Sequence, residues 1–438
     1  MRTRAPALRA RAVAVVVALV LAGCGSPATD RREDLTGTTV DVLAVWADTE
    51  QQRFERVLDG FEELTGATVR YISTEGEDIT TVLDGRLATG AVPDVAILPQ
   101  PGLLRRYAAQ GKIWPVDATV TEAVRARYAD VWRRLASVDG RLYGVWFKAA
   151  HKSLIWYNVG AFERGGAVPP SDLDGLLGVM PSLRASGVAP LAVAGADPWT
   201  LTDWFENLYL QLAGPARYDA LAEHRLPWTD PSVVRTLELL GRLLTAAAAG
   251  ASGDAETPAA MVTFVESVRA VFSGRPAAAM VFEGDFVPGA APDAGMEIGL
   301  DVDVFPFPGA ESSSQLVVGG GDVAVLMRPS AGGRALLRFL ATPEAAEIWV
   351  RLGGFVSANE DVDLTAYPDA TTRTIARTLL ESADDFRFDL SDNQPADFGA
   401  TSGAGMFGFF ADFLVDPSDP EATAARLEAA ATEAYARR

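Results

Sequence analysis

From Thr39 onward, apolar stretches with two different periods alternate along the chain. TVDVLAVW at 39–46 is nearly continuous in apolar residues, the pattern of a strand buried on both faces. Phe54, Val57, Leu58, Phe61 and Leu64 follow at helical spacing, with Thr49 and Gln52 in capping-box register ahead of them and Gly66 behind. Thr68–Ser73 reads as a second strand, so the opening is a β–α–β unit, which favours a parallel pair with a right-handed crossover. Ile79, Val82, Leu83 and Leu87 mark another helix, ending near Gly90. The strand Asp94–Leu98 follows, and then the turn Pro99-Gln100-Pro101-Gly102, which opens a short helix. The first part of the chain is therefore α/β.

Arg141–Asn158 (RLYGVWFKAAHKSLIWYN) has no helical period and reads as two extended segments joined through Lys148–Lys152, a strand leaving one lobe for another. Beyond it the texture is helical over Leu201–Leu212, Ser232–Ala249 and Pro258–Phe272. Strands are expected at Pro190–Ala194, Ala277–Phe282 and Asp301–Phe305. Pro306-Phe307-Pro308-Gly309 marks a second boundary, after which Gly319-Gly320-Gly321 reads as a turn before the strand Asp322–Met327. Helices follow over Gly333–Leu340, Pro343–Arg351 and Glu421–Ala436, and the tail is expected to be mainly helical.

The first residues have a different character. Arg2, Arg4, Arg9 and Arg11 precede eleven apolar residues, Ala12–Ala22, and Leu21-Ala22-Gly23-Cys24 closes the run. A basic start, a short apolar core and small residues at a cut site describe a secretory signal peptide. Eleven residues rise about 16 Å as helix, too short for a membrane span. The ending resembles the lipobox of bacterial lipoproteins, where the cysteine is lipidated and cleavage falls just before it. Cys24 is the only cysteine among 438 residues. The expectation is a leader over 1–23 and a tether over 24–37, with the rest held by lipid at the outer face of the cytoplasmic membrane.

Composition narrows the chemistry. Removing 1–23 leaves 415 residues, enough for two lobes, with 34 basic against 58 acidic side chains. That balance repels phosphate backbones, so no nucleic acid is expected. With Cys24 lipidated, no thiol is left for a disulfide, a nucleophile or a zinc–thiolate site, and His151 and His224 stand in no metal-binding pattern. No serine-nucleophile elbow or phosphate-binding loop occurs. Paired carboxylates stay open as a hydrolytic alternative.

Eight segments in order resemble the extracellular solute-binding proteins (family 1) of carbohydrate ABC importers, the group that includes maltose-binding protein. They are VWADTEQQRFERVLDGFEELTGATVRY, VPDVAILPQPGLLRRYAAQGKIWPVD, GRLYGVWFKAAHKSLIWYN, DPWTLTDWFENLYLQLAGPARYDAL, AAAMVFEGDFV, GGGDVAVLM, LATPEAAEIWVRLGGFVSAN and SDNQPADFG. The wording is nearest the branch labelled α-glucoside-binding. The resemblance implies a two-lobe α/β periplasmic-binding-protein-like fold of class II type, with crossing hinge strands and a ligand cleft between the lobes. Carried over by position, the first lobe is 38–148 plus 306–355 and the second is 149–305 plus 356–438. It further implies capture of a mono- or oligosaccharide, docking on ABC permease subunits, a monomer, no cofactor, no metal and no catalysis. The alternatives are a secreted glycoside hydrolase and a sugar sensor for a membrane receptor.

Sugar capture needs aromatic faces for pyranose rings and planar polar groups for hydroxyl pairs, on loops at strand ends. Trp46 ends the first strand, with Glu50 close behind. Gln100 follows the strand Asp94–Leu98, and Lys148 lies in the crossing segment. Trp199 precedes a helix, whereas Trp204 within it is assigned to the core. Glu283 follows an apolar strand, Asp322 follows the glycine triplet, and Phe355 follows Gly353-Gly354. These eight, Trp46 through Phe355, are the candidate ligand contacts.

Overall fold

The computed structural model describes residues 33–74, 78–248, 258–291, 294–309, 316–382, 385–399 and 405–437. The leader over 1–23 and the lipidation site Cys24 lie outside the described residues. The last residues assigned to the tether are already docked: Leu35 is buried, and its N–H donates to the Thr65 carbonyl at 2.8 Å. No described helix is long and apolar enough to cross a membrane.

The β–α–β opening forms as its pattern predicts. β1 (Thr39–Ala44) pairs in parallel with β2 (Thr68–Ser73), from Thr39 opposite Thr68 to Ala44 opposite Ser73, and with β3 (Val95–Leu98) on its other side. Helix α1 (Asp48–Thr65) buries Phe54, Val57, Leu58 and Phe61 against them and stops at Gly66 in the left-handed conformation, φ 74°. Two details differ from expectation. The N-cap is Ala47, with no side-chain cap bond, so the Thr49–Gln52 box does not form. Asp48 and Glu50 in the first turn give the N-terminal dipole its negative charge instead. Leu64 is largely exposed, and Thr65 takes the buried place.

A short hairpin, β4 (Ser137–Val138) and β5 (Arg141–Leu142), precedes β6 (Gly144–His151). Two residues later, β7 (Leu154–Asn158) lies in a different sheet. That second sheet has the order β10-β7-β9-β8, with β8 at Ala189–Ala192, β9 at Ala278–Phe282 and β10 at Val302–Pro306. The chain then returns through β11 (Val317–Leu326), which pairs antiparallel with both β6 and β3 in the first sheet.

β11 corrects the expected glycine turn: Gly319, Gly320 and Gly321 are inside the strand. At Gly319 and Gly321 neighbours leave no room for a Cβ, whereas at Gly320 the nearest atoms are those of the flexible Lys152 side chain, from 3.1 Å. A Cβ on Gly319 would collide with the Phe386 ring and lie 2.8 Å from the Ala150 carbonyl, and one on Gly321 would strike the Lys148 carbonyl. The ladder slips between Asp322 and Val323, a bulge that turns Asp322 relative to its neighbours.

Part of the stretch 356–438, expected with the second lobe, joins the first sheet. β12 (Phe386–Phe388) pairs in parallel with β11, because Phe386 and Phe388 pack on Trp132 and Trp146 with ring centroids 5.1–6.3 Å apart. Each buried ring contributes about 1.5–3 kcal/mol there. Elsewhere, Pro258–Phe272 resolves into a 3-10 turn and a separate helix, Phe264–Val271. Thr263 and Glu266 build the capping box of that helix.

Candidate functional site

The site assembles where the chain passes from β6 to β7. Two lysines of this crossing, Lys148 and Lys152, are both buried, an expensive placement that demands opposite charge. Lys148 ion-pairs with Glu50 of α1, and its ammonium lies 5.6 Å from the Phe286 and Trp349 ring centroids and 5.9 Å from Trp46. Burial opposes its charge, but Glu50, Asp322 and Asp285 together hold its pKa above the ordinary value. Lys152 lies 2.5 Å from Asp389, which follows β12, and 3.0 Å from Asp203 on the helix Trp199–Ala213. Its ammonium faces the Trp199 ring at 5.5 Å, and the carboxylates around it overcome burial and raise its pKa too.

Phe286 joins the two groups, 6.1 Å from Trp199 on one side and 5.6 Å from Lys148 on the other. Six of the eight sequence candidates thus fall into one region: Trp46, Glu50, Lys148 and Asp322 around the first lysine, and Trp199 and Glu283 around the second. Trp46 is almost wholly buried, edge-on to Phe54 and Trp349, and its side chain lies beside Asp322, whose charged form it favours. Phe355 is fully buried and stacks on Trp349 at 4.9 Å, one layer behind the site. Gln100 is buried at the N-terminus of the helix Pro101–Ala109, and no described contact ties it to either lysine. Trp204 is core, as expected, with its ring 4.4 Å from Phe282.

Glu283 is the unusual member. It is 1% exposed, and neither carboxylate oxygen has a hydrogen-bond donor. Burial pushes its pKa well up, and Asp203 pushes it further: the two carboxyls can share a hydrogen bond only when one holds a proton. Asp285 accepts from the His151 N–H at 2.6 Å through one oxygen, while its other oxygen has no donor. Burial raises Asp285 and Asp322 to about 6. Asp389 moves the opposite way: burial alone would raise it, but Lys152 holds it well below the carboxylate range. Burial pushes His151 down to about 4, so its ring is neutral, and its Nδ1 accepts from the Ser153 N–H at 3.3 Å.

Asp203, Glu206 and Asp389 bring carboxylate oxygens within 4.8 Å of one another, close enough to hold a cation. That demand is already served. Lys152 neutralises two of them, and Glu206 accepts from the Leu390 and Ser391 N–H groups at 2.6 and 2.9 Å. The site is a buried, acid-rich cluster with aromatic faces, and the open hydrogen-bonding capacity of Glu283 and Asp285 is for donors.

Lys152, Asp203, Asp285, Phe286 and Asp389 were not among the sequence candidates. One signal was available for Asp203. Thr202, Asp203, Glu206 and Asn207 interrupt a largely apolar helix at spacings that share a face, and all four are fully buried.

A family model described as bacterial extracellular solute-binding protein matches residues 46–347. An osmoprotective-compounds-binding protein of Synechocystis is 32% identical over 407 residues, covering 90% of this chain and 93% of its own. An alpha-glucosides-binding periplasmic protein of Rhizobium meliloti is 32% identical over 381 residues, covering 84% and 82%. Among solved structures, the bacterial solute receptor AcbH superposes with a TM-score of 0.76 at 20% identity, covering 91% of this chain and 99% of its own.

Proposed function

The chain belongs to the bacterial extracellular solute-binding proteins, and from that premise we propose that it captures a mono- or oligosaccharide between its lobes for the permease subunits of an ABC importer. One observation carries the sugar: Glu283 offers two buried, donorless oxygens beside Asp203 and Lys152, and the Lys152 ammonium faces the Trp199 ring with Phe286 next to it. A pair of hydroxyl groups would supply the missing donors, and a pyranose C–H face suits the indole. The α-glucoside-binding relative supports an α-glucoside as the first choice.

In this reading Trp46, Glu50, Lys148, Trp199, Glu283 and Asp322 contact or frame the ligand. Gln100 completes the rim, and Phe355 acts through Trp349. The lobes divide near 38–148 with 306–355 and 149–305 with 356–438, β12 excepted. The site holds its ligand without reacting with it, and the protein works as a monomer.

A thermal-shift screen over sugars, α-glucosides and small osmoprotectants tests the capture, since a ligand of the native state raises the melting temperature. With the best sugar from that screen, Trp199→Ala should weaken affinity about tenfold or more, from lost stacking and buried area. Titration calorimetry reads the change. An unaltered affinity would return Trp199 to packing on Phe264, whose ring is 5.2 Å away.

We also propose that Cys24 carries the lipid that holds the protein at the outer face of the cytoplasmic membrane. Cys24→Ala should abolish lipid labelling and move the protein from the detergent phase to the aqueous phase. Equal partitioning of both forms would contradict the tether.

A further inference from the structure

Outside the ligand pocket, the two halves of the molecule meet backbone to backbone at two glycines. Gly289 lies in the short turn Val287–Ala290 that follows β9 and Phe286. Gly354 ends the loop after the helix Pro343–Val350, which packs beside α1. A Cβ built on Gly354 would lie 3.3 Å from the Gly289 Cα and 2.7 Å from Nη1 of Arg53; one on Gly289 would lie 3.3 Å from that same nitrogen and 3.8 Å from the Gly354 Cα. Arg53 holds the seam from within α1, donating to the Gly353 carbonyl at 3.0 Å. It stands one turn beyond Glu50, the partner of Lys148. On the outer side is a recess of about 490 Å³, lined by Arg53 and Leu352 from one half and Phe272, Met296 and Ile298 from the other.

We propose that Gly289 and Gly354 are positioning residues for ligand capture: their missing side chains let the halves close far enough to bring Phe286 against Lys148. The inference rests on the cleft-binding reading above. Gly354 has φ +63°, where any side chain is strained, so its glycine has a local reason as well. Gly289 has no such constraint. The atoms that a Cβ on Gly289 would meet within 4 Å, Arg53 Nη1 and Gly354 Cα, belong to the opposite half. A Cβ there needs only a small shift of the Arg53 tip, so the limit on a larger side chain at Gly289 is set by the opposite half and not by its own fold.

Gly289→Leu separates these possibilities. The variant is expected to melt within about 1 °C of the wild type without ligand and to bind the best sugar of the screen at least tenfold more weakly. The loss should come mainly from faster dissociation, because a cleft held ajar loses contacts after encounter. Small-angle scattering at saturating sugar should give the variant a larger radius of gyration than the wild type. Matching affinity and matching radius would overturn the proposal, and so would a marked fall in ligand-free melting temperature, which would make Gly289 a packing position. If the wild type binds no sugar at all, the capture reading fails by itself. The comparison of radii at saturating amounts of whichever other screened compound raises the melting temperature then decides the seam: a larger variant upholds it, and equal radii overturn it.

Discussion

Lys152→Ala is expected to destabilise the ligand-free protein by about 3–5 kcal/mol at pH 8, the usual cost of removing one partner from a buried charge pair. The ammonium lies between Asp203 and Asp389, which are almost fully buried, with Glu283 beside them. Its loss leaves a group of carboxylates with no counter-charge. Lys152→Met keeps the volume of the stem and should cost nearly as much, because charge and not packing is what is missing. The penalty should shrink as pH falls, and the sign follows from the individual groups. Asp203 and Glu283 have raised pKa values, so the stability linked to their protonation is present below the ordinary carboxylate range and is lost as pH rises through their folded values. Asp389 is lowered by Lys152, so its contribution is present above the ordinary range and lost as pH falls through its folded value. Without Lys152 the Asp389 contribution disappears and the repulsion among the others grows, which hurts most at high pH. Urea denaturation at pH 8 and pH 5 measures both. A cost under about 1 kcal/mol, or one independent of pH, would mean that solvent screens the cluster.

The first sheet was readable from periodicity because β1, α1, β2 and β3 obey local rules: continuous apolar strands, a helical stripe and a terminating glycine. The crossing was readable as well, since Arg141–Asn158 has no helical period. The glycine triplet was misread because glycine marks both turns and close backbone approach, and only the partner strand distinguishes them. At Gly319–Gly321 that partner is β6, more than 165 positions away in sequence. β12 was missed for a related reason. Three residues carry no period, and Phe386 and Phe388 find their place only when Trp132 and Trp146 are already side by side. The site followed the same division. Glu283, directly after β9, stands at the strand end its position suggests, whereas Lys148 and Asp322 lie inside β6 and β11. Lys152 and Asp389 acquire meaning only as a pair, and the pair exists only after the chain has crossed between sheets.

Glu283→Ala should reduce affinity for the best sugar by about 10- to 100-fold while leaving the ligand-free protein as stable as the wild type or more so. Both halves of that expectation come from the two donorless oxygens of Glu283. A hydrogen bond between a neutral carboxyl and a hydroxyl contributes about 0.5–1.5 kcal/mol, so a bonded hydroxyl pair is worth roughly one to two powers of ten in the dissociation constant. Without ligand those oxygens form no compensating bond, and a buried unsatisfied group costs about 1–3 kcal/mol, more when charged. Removing it relieves that cost, offset by the packing that the side chain provides. Glu283→Gln separates the terms, because it keeps the shape, cannot ionise and carries a fixed donor beside one acceptor. It should raise the ligand-free melting temperature more clearly than alanine does, and still bind the sugar less tightly than the wild type. It should also flatten the dependence of that melting temperature on pH above the ordinary carboxylate range, since the raised carboxyl whose ionisation weakens the fold there is gone. Calorimetric titration beside thermal unfolding at several pH values gives all of these quantities. If affinity and melting temperature fall together in both variants, Glu283 is a structural acid with a partner. If affinity does not change, the hydroxyl pair binds elsewhere in the pocket.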